Sequence, residues 1–111
     1  MALGYHNTSY YYPNPSGLAI STTDTRGFYI GTFTINSINL FKNSTKIQTK
    51  TSSTYNSTNL NVYIGAANAV GLDYSNHECA LASIGNGLTD TEASNFYTAV
   101  QTFNTTLLRQ V

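Results

Sequence analysis

From Gly17 to Ile84 the chain alternates β-branched or aromatic residues with polar ones, in short runs broken by turn formers. That period of two restricts it to an antiparallel β architecture. GLAISTT (17–23) and RGFYIGTFT (26–34) read as two strands divided by Thr23-Asp24-Thr25. SINLFK (37–42) follows, with Ile38, Leu40 and Lys42 on one face and Asn39 and Phe41 on the other. KIQTKT (46–51) comes next, after the hairpin signal Asn43-Ser44-Thr45. Two-residue hairpins favour Asn-Gly, so Ser44 in the glycine position predicts a longer loop built on a type I turn. LNVYIGAA (60–67) and HECALASIG (77–85) complete a set of about six short strands, the number and spacing of a β-sandwich or jelly roll. In the last of them His77, Cys79 and Leu81 share a face, which predicts a buried, unreactive Cys79.

One helix is expected after the strands, over residues 90–108. Thr89-Asp90-Thr91-Glu92 is a capping box, in which the Thr89 hydroxyl accepts from the Glu92 N–H and the Glu92 carboxylate reaches back. Leu88 and Ala93 occupy the staple positions on either side of the cap. Ala93, Phe96, Val100, Phe103 and Leu107 then recur at steps of three and four, a single apolar stripe expected to face the core.

Gly85-Asn86-Gly87 in front of that helix invites comparison with a phosphate-cradling loop. The comparison fails on chemistry. The third glycine of a dinucleotide loop is Asp90 here, and Asp90 and Glu92 place two carboxylates where a phosphate would have to sit. The glycines are read as punctuation between a strand and a capped helix.

Composition bounds the partners. With 111 residues the chain builds one core. Lys+Arg 5 against Asp+Glu 5 gives no electrostatic footprint for nucleic acid or anionic membrane, and no apolar run has the length of a membrane span. A single cysteine excludes an internal disulfide, and with only His6 and His77 beside it no zinc site is expected. MALGYHNTSYYYP has neither the basic nor the apolar region of a secretory signal. An extracellular, virion or cell-surface location would therefore require virion release, or a signal encoded outside this stretch.

Ile84-Gly85-x-Gly87-Leu88-Thr89-Asp90-x-Glu92, followed by a helix with Phe96-Tyr97 and ending Leu107-x-Arg109, resembles the C-terminal end of LamG-like jelly rolls. These belong to the concanavalin A-like lectin/glucanase superfamily and occur in phage and bacterial surface proteins. Arg26-Gly27-Phe28-Tyr29-Ile30-Gly31 and Leu40-Phe41-Lys42-Asn43 resemble the family's paired strands, with Ser44 departing from its hairpin glycine. Asn61-Val62-Tyr63-Ile64-Gly65 resembles a further strand. The resemblance covers roughly residues 17–111 and the second half of such a domain. It implies a sandwich whose other half lies on more chain or on a neighbouring one.

Catalysis is not expected. Glucanases of that superfamily use closely spaced acids on one strand, whereas the only close pair here, Asp90 and Glu92, is explained by the cap. No cofactor or metal is expected, because Asp73 among Asn68 and Asn76 is too few acids for calcium. Asn-x-Ser/Thr occurs at Asn7, Asn43, Asn56 and Asn104, against about three expected by chance in so Asn-, Ser- and Thr-rich a chain. The candidate ligand residues are Tyr10, Tyr11 and Tyr12, flat amphipathic rings that can stack on a pyranose, with Asn7 and Asn14 beside them. The alternative is that these tyrosines, in an N-terminal segment over 1–16, pack on the sandwich or on another subunit. The expectation is a non-enzymatic adhesion or carbohydrate-binding module. Its alternative is an assembly subunit completed by neighbouring chains, as a homo-oligomer or with other surface or virion proteins.

Overall fold

A computed structural model describes residues 4–6, 9–12, 18–21, 24, 26–51, 64 and 79–109, the stretches before residue 24 as backbone. Among these residues the chain forms two three-stranded antiparallel sheets and one C-terminal helix. The first sheet has the order β1 (Gly4–His6), β2 (Ser9–Tyr12), β3 (Leu18–Ser21). The second has the order β4 (Tyr29–Thr34), β5 (Ser37–Lys42), β6 (Thr45–Thr51). The N-terminal segment therefore joins the β architecture, and β3 runs close to β6.

β5 is the centre of the second sheet and is buried on both faces. Ile38 and Leu40, each 1% exposed, pack on one side with Tyr29, Phe33 and Ile47. Phe41 packs on the other with Ile30 and Ala93. Burial of side chains of this size contributes about 1.5–3 kcal/mol each. The strand's alternation thus divides two apolar clusters between the two faces of one layer.

Two local irregularities decide what each face carries. The β5–β6 register shifts between Leu40 and Phe41, so that Leu40 lies opposite Gln48 but Phe41 lies opposite Lys46. In an unbroken ladder Ile47 would share the Phe41 face and Lys46 the opposite one. The extra residue, a β-bulge, lets Ile47 join the Ile38–Leu40 cluster and brings Lys46 to the helix side. There its ammonium pairs with Asp90 and stands 5.9 Å from the centre of the Phe41 ring.

The second irregularity is the turn after β5. Lys42 pairs with Thr45, so the connection is two residues long, and the longer loop expected around Ser44 does not form. Asn43 has φ 56 and Ser44 does not have a positive φ, so the special backbone position falls on Asn43. Asn enters positive φ more readily than most residues, so the turn asks nothing unusual of Ser44. Asn43 also extends the sheet past β4: its N–H donates to the Phe28 carbonyl at 2.7 Å, and its Oδ1 accepts from the Phe28 N–H at 3.1 Å.

The helix α1 (Asp90–Thr106) begins where the capping box places it. The Glu92 N–H donates to Thr89 Oγ1 at 3.3 Å, and the Thr89 N–H donates to Glu92 Oε2 at 2.8 Å. Leu88 and Ala93 meet as a staple over Ile30 and Phe41. Phe28 adds an edge-to-face contact with Phe96 at 5.6 Å. Beyond Val100 the expected apolar stripe leaves the core: Phe103 is 52% and Leu107 45% exposed. Ala93, Phe96 and Tyr97 pack with the Ile30–Phe41 cluster, and Val100 is the last buried residue of the helix. The helix closes in a Schellman pattern, with Leu108 N–H to Thr105 O and Arg109 N–H to Asn104 O. Leu108 takes the left-handed position, φ 54, usually given to glycine.

The strand expected over 77–85 is not formed among its described residues. Residues 79–87 are irregular and exposed, including Ile84. Cys79 is exposed as well, against the expectation of burial, and its Sγ lies 3.4 Å from the Leu81 carbonyl. Alanine and serine supply half of Cys-Ala-Leu-Ala-Ser-Ile, and such small side chains bury little area on a pleated surface. The strand expected over 60–67 lies outside the described residues except for Ile64, which sits in a bend and is 69% exposed.

Gly85 and Gly87 differ in role. A β-carbon on Gly87 would overlap the Phe33 carbonyl oxygen, with the carbonyl carbon only 2.9 Å away, so this residue lets the backbone reach β4 before the helix starts. A β-carbon on Gly85 would meet open space. Gly87→Ala is therefore expected to destabilise by about 1–3 kcal/mol or more through overpacking against backbone. Gly85→Ala is expected to be neutral, or to stabilise by up to about 1 kcal/mol through the unfolded chain. Urea denaturation of the two variants checks the contrast.

Candidate functional site

The sequence-predicted ligand residues fall in the first sheet. Tyr10, Tyr11 and Tyr12 occupy β2, its central strand, with Tyr10 opposite Tyr5 on one side and Ile20 on the other. The backbone is thus fixed on both sides. The side chains of these tyrosines, and Asn7 and Asn14 altogether, lie outside the described residues.

The start of α1 is chemically occupied. Besides its backbone bonds, the cap holds a Thr89 Oγ1–Glu92 Oε2 contact of 2.8 Å. The Thr89 N–H, followed by its hydroxyl, holds the Glu92 carboxyl below the usual carboxylate range. Asp90 adds a second carboxylate paired with Lys46. An anion would have to displace both charges, so the helix start serves docking and stability.

A second charged group stands at the entry to β4. Asp24 Oδ1 accepts from the Arg26 N–H at 3.1 Å and from Arg26 Nε at 3.1 Å. Those two bonds, in that order, lower the Asp24 pKa. Lys42 Nζ donates to the Asp24 carbonyl at 2.7 Å and stands 5.8 Å from the centre of the Tyr29 ring. These contacts tie Asp24 and Arg26 to Lys42 at the end of β5. Among the described residues no three of His, Cys, Asp and Glu gather as a metal site would require.

Among the described residues two groups of side chains with binding chemistry remain, and sequence reading singled out neither. One is an uncharged polar network on the helix-side face of the second sheet, towards the β4–β5 turn. Thr49 Oγ1 donates to Asn39 Oδ1 at 2.9 Å, Asn39 Nδ2 donates to Ser37 Oγ at 3.3 Å, and Ser37 Oγ lies 2.8 Å from Thr34 Oγ1. Thr32, opposite Asn39 in the ladder, is 2% exposed and its hydroxyl has no hydrogen-bond partner. Thr34 and Thr49 form the open rim. Hydroxyls and an amide arranged in this way can exchange hydrogen bonds with a neutral polar ligand. The only sequence signal was that Thr32, Thr34, Ser37 and Asn39 fall at alternating positions on two neighbouring strands.

The other is a set of exposed apolar side chains in two places. Leu81 and Ile84 are exposed on the 79–87 segment, and Phe103, Leu107 and Leu108 on the end of α1. Arg109, 5.8 Å from the Phe103 ring centre, is the only charged residue among 103–109. Sequence reading missed both places because it treated the stripe and the strand as core.

Compared with protein-family models, curated proteins and solved structures, the chain matches none.

Thr89→Ala removes one half of the cap and is expected to cost about 1 kcal/mol. Glu92 has its pKa depressed by folding, so its contribution is full above the ordinary carboxylate range and is lost as pH falls through the depressed value. Circular dichroism against pH should therefore show less acid-induced loss of helix in Thr89→Ala than in the parent. Equal loss in both would contradict the cap's role. Cys79 should react with a thiol reagent at the rate of an exposed thiol before any unfolding; labelling only on denaturation would place it inside the fold.

Proposed function

We propose that this chain is a non-enzymatic module of a virion or bacterial surface, a β-sandwich of LamG-like jelly-roll type, and that its role is assembly with neighbouring chains in adhesion. The observation that carries this reading is the exposure of large apolar side chains at two places, Leu81 and Ile84 on the 79–87 segment and Phe103, Leu107 and Leu108 at the end of α1. With charged residues at 9% of the chain, few charges oppose association through them. Two three-stranded sheets plus a helix also fit a sandwich whose layers are completed by more strands.

Carbohydrate binding is the second reading, supported by the Thr34–Ser37–Asn39–Thr49 network and by the tyrosine-rich sequence of β2. Neutral hydroxyls with aromatic rings are the chemistry that recognises a pyranose.

Sedimentation velocity from low to high micromolar concentration, together with a glycan array, separates the two. Assembly predicts a concentration-dependent rise in mass and an array without saturable binding. A monomer at every concentration that binds glycans would replace the first reading with the second.

A further inference from the structure

We infer that residues 79–85 are the contact strand of a two-fold dimer, pairing antiparallel with the same residues of a second copy of this chain. The inference rests on the assembly reading and names its surface. Three observations lead to it. Among the described residues, the only hydrogen bond in the 79–87 segment is the one from Cys79 Sγ to Leu81 O, so its backbone donors and acceptors enter no ladder. The whole segment is exposed, with Ile84 at 72%. Its far end is seated, because Gly87 lies against the Phe33 backbone and Leu88 packs into the Ile30–Phe41–Ala93 cluster. A run of strand-type alternation is thus held at one end and offered to solvent along its length.

The occupant follows from charge. A two-fold strand pair sets each residue near the axis against itself or its immediate neighbour in the other copy, so any charge there meets its like. Cys79-Ala-Leu-Ala-Ser-Ile-Gly-Asn-Gly-Leu88 has no charged residue, whereas β6 carries Lys46 and Lys50. The uncharged run can pair with itself without repulsion. It then gains what the single chain does not give it: ladder hydrogen bonds, and cross-strand neighbours beside Leu81 and Ile84 on the two faces of the pair.

The test is a single-cysteine scan in a Cys79→Ala background, placing cysteine in turn at Ala80, Leu81, Ala82, Ser83 and Ile84, with oxidation by copper-phenanthroline. Paired strands bring the residue at the axis to about 4.5–5.5 Å between Cα atoms, within disulfide range. One narrow maximum of cross-linked dimer is expected near Ala82, on the order of tenfold above positions two residues away. Ser83→Pro removes a backbone donor and blocks the ladder. It should weaken dimerisation on the order of tenfold in sedimentation while leaving the circular dichroism of α1 unchanged. Association that persists without any cross-linking maximum would overturn the strand pairing and leave assembly through another surface standing. A monomer at all concentrations would overturn both.

Discussion

β5 has apolar residues on both of its faces, and the rest of the described structure follows from burying them. Ile38 and Leu40 on one side and Phe41 on the other are each at most 2% exposed. A three-stranded sheet standing alone would leave both faces in water, at a loss of several kcal/mol for side chains of this size. The helix covers the Phe41 face. It is an unpromising helix by itself, since Thr98, Thr102, Thr105 and Thr106 all bond back to carbonyls one turn earlier. At 17 residues it gains most of its stability from docking. Docking and capping occur together at Leu88–Ala93, where the staple, the cap and the Lys46–Asp90 pair fix its start. The ion pair, on partly exposed side chains, contributes little beyond direction.

The same constraint explains where the candidate surfaces lie. The apolar stripe of the helix is buried only as far as Val100, so Phe103 and Leu107 emerge beyond it. The Thr32–Asn39 part of the sheet carries hydrogen-bonding groups where Ile30 and Phe41 carry apolar ones. One face of one sheet thus passes from an apolar patch that holds the helix to a polar network. Residues 79–87 lead into Leu88 and add two further exposed apolar side chains, Leu81 and Ile84.

Legibility in the sequence divided along physical lines. Ser37–Lys42 was readable to the residue because its alternation is strict and large side chains fill it. The helix start was readable because a capping box is local chemistry. Its placement over 90–108 overran Thr106 by the two residues that form the C-terminal turn. The bulge at Ile47 and the two-residue turn with positive φ at Asn43 were not legible, since both depend on what the opposite strand and the helix require. The extent of the helix-facing core was not legible either: periodicity says which side of a helix is apolar, not where its partner sheet ends. For 79–85 the alternation is present, but its small side chains bury little area within one chain, and Cys79 is exposed where burial is expected from the pattern. Gly87 was noticed as a turn residue, while its close approach to Phe33 could come only from the packed chain. The tyrosines of the candidate sugar site were legible as chemistry, and the structure adds their place in a central strand.

Hydrogen exchange resolved along the chain tests the central claim, a layer buried on both faces of β5 beside an unladdered 79–85 segment. In dilute solution the amides of Ile38 to Phe41 should exchange only through global unfolding, while those of Ala80 to Gly85 should exchange near the rate of an unstructured peptide. Raising the protein concentration should slow the second group and leave the first unchanged. Protection of Ala80 to Gly85 in the dilute monomer would contradict the account, because it would mean that the chain pairs this strand within its own fold.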